Sequence, residues 1–158
     1  MKSISRIKAI PMAALFAALY SILVLVLPQL SYEMVNVRIA DALVGLVPIA
    51  GMPAVFGITL GVFIGNIPSP LGPIDLLSTL PTFLALLIVY ALRRVSVFAG
   101  LVSYSVIIAV WVGYLLSYLF ELPYLITFAY VLIGNAIATP GLGYILFKSM
   151  KRIMKGET

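Results

Sequence analysis

The chain has 158 residues, 63% of them hydrophobic and only 9% charged, with a net charge of +5. A water-soluble domain carries roughly 25% charged residues, so this composition excludes a fully solvated surface, and the apolar stretches must face lipid or one another. With no Cys and no His, the chain has no disulfide, thiolate metal site or thiol nucleophile, and it lacks the commonest general base.

The few charges divide the chain into uncharged runs at 9–32, 42–74, 76–92, 95–120 and 122–147. A membrane-crossing helix needs about 20 mostly apolar residues. Four runs each predict one helix, and the run 42–74 predicts two because Gly51-Met52-Pro53 breaks it. The expected fold is therefore an all-α integral membrane protein in one transmembrane domain, residues 1–158. Its six helices fall at about 10–27, 37–49, 52–67, 75–93, 97–119 and 124–148.

Helix one carries Ala13, Ala14, Ala17 and Ala18, two overlapping pairs of small residues four apart that allow close approach of another helix. That helix lies within this chain or in a separate subunit. The polar loop 28–36, with Tyr32 and Glu33, leads into a second helix too short to cross alone, whose end needs shelter from neighbouring protein. Arg38 and Asp41 open it one turn apart, on one face. Helix three has glycines at 57, 61 and 65, a close-packing stripe, and ends at Asn66. Three prolines and a glycine in 67–74 forbid helix and predict a stiff loop, after which Asp75 is placed to cap helix four. Ser78, Thr79, Pro81 and Thr82 make the first half of that helix polar, and Pro81 predicts a kink. Polarity at membrane depth suggests a solute cavity.

Helix five sets Trp111, Tyr114 and Tyr118 on one face. Trp111 lies roughly 12 Å from the helix end at about 1.5 Å per residue, deep for an interfacial belt residue. It is either a ring platform or core packing. Glu121 follows in a loop. Helix six carries Asn135 near mid-depth, where an amide needs partners, and Thr139-Pro140-Gly141 predicts a bend.

Nine of the ten Lys and Arg residues cluster at the N-terminus (Lys2, Arg6, Lys8), between helices four and five (Arg93, Arg94) and at the C-terminus (Lys148, Lys151, Arg152, Lys155). Six helices put all three clusters on one side, expected to be cytoplasmic with both termini. Glu33, Arg38, Asp41, Asp75 and Glu121 then fall on the other. The basic segments suit anionic lipid, and nucleic-acid binding is not expected. No phosphate-binding loop and no metalloprotease motif occur, so an enzyme is not expected. No cofactor is implied, and uphill transport would need a partner or an ion gradient.

Six helices, a short second helix, the alanine pairs and the polar cluster together resemble the substrate-binding S component of an energy-coupling-factor (ECF) transporter. Two stretches are similar to the QueT family. Val37-Arg38-Ile39-Ala40-Asp41-Ala42-Leu43 is similar to Phe-Arg-Ile-Ser-Glu-Ala-Leu of the family. Gly65-Asn66, Ser69, Gly72, Asp75 and Leu92-Arg93-Arg94 follow its pattern of Asn, Ser, Gly and Asp before a helix ending in basic residues. The chain departs from the family where Asp41 stands for the usual Glu, where Asn135 stands for an expected Glu, and in the loose match of residues 78–82.

The resemblance implies a prokaryotic, multi-pass plasma-membrane subunit that captures a queuosine precursor from outside. It would then join a shared coupling subunit and two ATPases, with helix one as the docking face. Such a ligand suits the outer cluster. A guanine-like edge presents adjacent N–H donors to a carboxylate, as Arg does, from Asp41, Asp75 or Glu121. Arg38 would orient a carboxylate or meet a ligand carbonyl, and Trp111 or Tyr114 would stack on the base. Asn66 and Asn135 complete the expected site. Two alternatives stand beside this reading: an S component for another vitamin, and a non-transport scaffold subunit. A self-sufficient secondary transporter is disfavoured by the missing inverted repeat.

Overall fold

The computed structural model describes residues 6–26 and 38–156. The whole of the expected loop 28–36, with Tyr32 and Glu33, lies outside them. All described elements are helical. We number them α1 (Arg6–Val26), α2 (Ile39–Ala50), α3 (Met52–Asn66), α4 (Gly72–Leu92), α5 (Val97–Phe120) and α6 (Tyr124–Lys155). Four of these, α1, α4, α5 and α6, are long and apolar enough to cross a membrane; α2 and α3 are shorter.

The short second helix follows from its sequence. Ile39–Leu46 winds as a 3₁₀ helix, and only Val47–Ala50 is α-helical. Pro48 stands in the first turn of the α segment, where its missing N–H would be unpaired anyway. Gly51 takes φ +75°, a left-handed conformation that glycine adopts at no steric cost, and reverses the chain into α3.

The glycine stripe of α3 lies against α1. A Cβ at Gly57 would run into the carbonyl oxygen of Ala13, and one at Gly61 would lie 2.7 Å from Tyr20 Cβ and 3.0 Å from the Ala17 carbonyl. The expectation of close packing holds here, and the alanines of α1 divide. Ala17 is buried and Ala13 half-buried on the α3 side, while Ala14 and Ala18 are exposed.

Two boundaries move outward. α1 starts at Arg6 and α6 runs to Lys155, because charge marks where a helix leaves an apolar layer, not where its backbone hydrogen bonding stops. One expectation is corrected: the proline-rich segment is not free of helix, since Gly72–Ser78 forms a 3₁₀ turn. Pro73 sits at the start of that turn, where no N–H is required of it, and a short 3₁₀ run needs few hydrogen bonds.

Ile137–Gly143 of α6, around Pro140, is a π-helical turn, which absorbs the proline without ending the helix. α2 packs on this turn. A Cβ on Gly45 would run into the Gly143 carbonyl, and one on Gly143 would lie 3.0 Å from the Ala42 carbonyl. Tyr20, Val44, Val55, Ile58, Leu86, Leu101 and Tyr104 fill the centre. Leu15, Ile22, Leu84, Val110, Leu125 and Ile133 are exposed on the outside. The bundle is thus apolar inside and out, as a protein solvated by lipid must be.

Candidate functional site: a buried arginine–carboxylate cluster

Among the described residues, three charged side chains lie inside the bundle. Arg38 is 8% exposed, Asp41 1% and Asp75 1%. An isolated buried charge is prohibitive, so such groups must be paired or hydrogen-bonded. Arg38 ends the approach to α2 in an extended conformation (ψ 95°), and Asp41 follows in the first 3₁₀ turn. Asp75 comes from the 3₁₀ start of α4.

The cluster has two halves. Asp41 Oδ1 accepts hydrogen bonds from Tyr20 Oη of α1 at 2.6 Å and from Tyr104 Oη of α5 at 3.2 Å. Asp75 Oδ2 lies 3.5 Å from Arg38 Nη2. Its other oxygen, Oδ1, accepts from Ser78 Oγ at 3.0 Å, and Ser78 Oγ in turn accepts from Trp111 Nε1 at 3.0 Å. The Asn66 amide of α3 donates to the Asp75 backbone carbonyl at 3.0 Å. One network therefore ties together α1 to α5.

Two carboxyl groups and one guanidinium share the interior, a formal charge of −1 over these three described residues. Acceptors are also left over: Asn66 Oδ1 and Thr79 Oγ1 are buried with no hydrogen-bond partner. Native structures seldom leave such atoms unpaired. A site of surplus negative charge and spare acceptors is matched to a ligand rich in N–H donors.

Of the residues singled out from sequence, Arg38, Asp41, Asn66, Asp75 and Trp111 come together. Asp75 is not a cap: no side-chain cap bond forms at the start of either segment of α4. The inserted 3₁₀ turn moves the α-helical start to Thr79 and turns the carboxylate inward. Pro81 stands just inside this start, and Thr82 Oγ1 donates to the Ser78 carbonyl at 2.7 Å.

The other three lie apart. Tyr114 is 56% exposed and stacks with Tyr118, ring centroids 6.5 Å apart. With Trp111, Pro81 and Tyr124 it lines an apolar outer groove of about 330 Å³. Glu121 is an exposed left-handed residue (φ 53°) that ends α5. Asn135 is buried in α6, its amide donating to the Val131 carbonyl at 3.3 Å and its Oδ1 unpaired. Thr139, one turn on, is also buried with its hydroxyl unpaired.

Sequence reasoning missed Tyr20 and Tyr104. Each sits in a long apolar run, where a ring reads as core. A buried phenol needs a partner for its hydroxyl, and that need was the available signal.

No curated protein and no solved structure matches the chain significantly. The family model described as QueT transporter matches residues 10–152. With the match reaching from the first helix into the last, and with a polar cluster enclosed by apolar helices, the chain belongs to the QueT transporter family and is a multi-pass membrane transport component.

Proposed function

We propose that the protein is the substrate-binding S component of an ECF-type importer and that it captures a deazaguanine-type queuosine precursor. The observation that carries this reading is the buried Asp75, its carboxylate paired with Arg38 and its backbone carbonyl accepting from the Asn66 amide, with Asn66 Oδ1 and, four residues along α4, Thr79 Oγ1 buried and unpaired among the described residues. A 2-amino-pyrimidinone edge offers two adjacent N–H donors, which one carboxylate accepts together. Arg38 meets the neighbouring ring carbonyl. Trp111, held by Ser78, offers its face to the base, and a ligand amine answers the surplus negative charge. Asp41, fastened by two phenols, holds Arg38 in the site. Asn135 lies deeper and would take a polar group of the ligand's side arm. Tyr114 and Glu121, both exposed, would meet the ligand only on its way in.

The sequence offers no ATP-binding loop, so energy comes from partners: a coupling subunit and two ATPases. The exposed Ala14 and Ala18 of α1 give the smooth face such a subunit needs, with Ala13 and Ala17 shaping it from beneath. In this reading all six helices lie in a prokaryotic plasma membrane, with the basic end and both termini cytoplasmic.

Native mass spectrometry of the purified protein against 7-deazaguanine bases, guanine, thiamine, riboflavin and biotin tests the ligand. Selective retention of a deazaguanine base is expected. Retention of one of the vitamins instead would move the protein to another branch of S components.

A further inference from the structure

The end of the bundle away from the carboxylates holds a second feature that substrate capture does not use. A groove of about 360 Å³ is lined by Arg93, Lys151 and Lys155 over an apolar floor that includes Ile49, Val97 and Phe147. The residues come from the α2 end, the α4–α5 turn and the last segment of α6, so the fold converges them from three places in the sequence.

Two of the three cations lie over rings. Arg93 Cζ lies 3.6 Å from the Tyr90 ring centroid, and Lys151 Nζ lies 5.6 Å from that of Phe147. Such contacts orient a cation without neutralising it. Among the described residues the one ion pair is that of Arg38 with Asp75, and the described acids Asp41, Asp75 and Glu121 all belong elsewhere. The final segment, Tyr144–Lys155, has no buried residue, and its Ile153 and Met154 are 67% and 68% exposed. Cations above an apolar floor, on a helix with bare apolar side chains, complement a molecule that is anionic at one end and aliphatic at the other.

We infer that this groove binds one anionic phospholipid, its phosphodiester among Arg93, Lys151 and Lys155 and an acyl chain along Ile49, Val97 and Phe147. The site would pin the last segment of α6 to the α2–α3 turn.

The test is native mass spectrometry of the full chain released from nanodiscs of equimolar phosphatidylglycerol and phosphatidylcholine. Retained phosphatidylglycerol is expected to exceed phosphatidylcholine at one-lipid stoichiometry. Basic residues near anionic headgroups contribute about fivefold each, so Lys151→Gln with Lys155→Gln should cut the preference by about twenty-five-fold. Lys8→Gln, on exposed α1, should leave it unchanged. Thermal unfolding of each variant in detergent separates loss of the site from loss of the fold. Equal retention of the two lipids by the unaltered protein would overturn the inference. So would a Lys8→Gln loss as large as that of the pair, which would reveal diffuse surface charge alone.

Discussion

Among the side chains of the cluster, Asp75 has the most demanding position. It is 1% exposed, within 3.5 Å of Arg38, and bonded to Ser78. Asn in its place would lose this buried ion pair while Asp41 stays to balance the guanidinium, so the cost stays below the roughly 3–5 kcal/mol of a fully orphaned buried charge. Asp75→Asn is therefore expected to lower the unfolding temperature in detergent. It should also weaken ligand binding about tenfold to hundredfold, the span of a hydrogen bond to a charged group. Affinity unchanged from the unaltered protein would remove the carboxylate from recognition. Trp111 is the sole tryptophan and donates to Ser78 at 3.0 Å, so its emission reports on the site directly. Titration with a 7-deazaguanine base should change that emission, and Ser78→Ala, which frees the indole N–H, should shift the ligand-free spectrum. A titration that binds ligand with no change in Trp111 emission would argue against stacking. Tyr20 and Tyr104 show why this scale was only partly legible. Their hydroxyls meet Asp41 from residues 21 and 63 positions away, and no local pattern encodes such a meeting.

At the scale of elements, the fit of α2 against the π turn of α6 is the tightest feature. Gly45 and Gly143 face each other backbone to backbone, and a methyl group at Gly45 would collide with a main-chain carbonyl that cannot rotate away. Overpacking of this kind costs about 1–3 kcal/mol. Gly45→Ala should thus lower the unfolding temperature and, by displacing α2, weaken ligand binding through Arg38 and Asp41. Gly72→Ala is the contrast in steric terms, since nothing lies within 4 Å of the added group, although its positive φ adds backbone strain. Equal stability of Gly45→Ala and the unaltered protein would mean that the two elements separate freely. The glycine stripe on α3 was readable from its four-residue spacing, and so was the brevity of α2. The Gly45–Gly143 contact was not, because a glycine pair 98 positions apart carries no periodic signal. The 3₁₀ turn at Gly72–Ser78 escaped for a related reason: prolines exclude α-helix interiors, but they tolerate the start of a short tighter helix.

The whole molecule has two unlike ends. The cluster of Arg38, Asp41 and Asp75 is enclosed by α1 to α5. The groove of Arg93, Lys151 and Lys155 lies with Pro48 and Ile49 at the α2–α3 turn, and Ala9 and Ile10 of α1 approach Met52 and Pro53 at the same turn. The start of α1 and the last segment of α6 therefore each border the α2–α3 turn, on separate grooves. The chain has no native cysteine, so single-cysteine variants read membrane sidedness without background. Glu121→Cys is expected to react with an impermeant maleimide on intact cells. Lys8→Cys and Arg94→Cys should react only after permeabilisation. Labelling of Glu121→Cys and Arg94→Cys from the same side would overturn the six-span arrangement.

By itself the sequence determined the all-helical class and the apolar character of the runs, and it set the expectation of six spans with cations and carboxylates on opposite sides. These properties follow from composition along the chain, and 20-residue runs without charge leave lipid as the only favourable surroundings. It also named Arg38, Asp41 and Asp75, because a charge among apolar residues is costly enough to mark a site wherever it stands. Only the tertiary structure decided which of them meet. It drew Asp75 inward to Ser78 and Trp111, supplied Asp41 with two distant phenols, left Glu121 and Tyr114 exposed, and split the alanines of α1 between an α3-facing pair and an open one. Such choices depend on the rotation and depth of each helix against its neighbours, and packing between distant segments sets both.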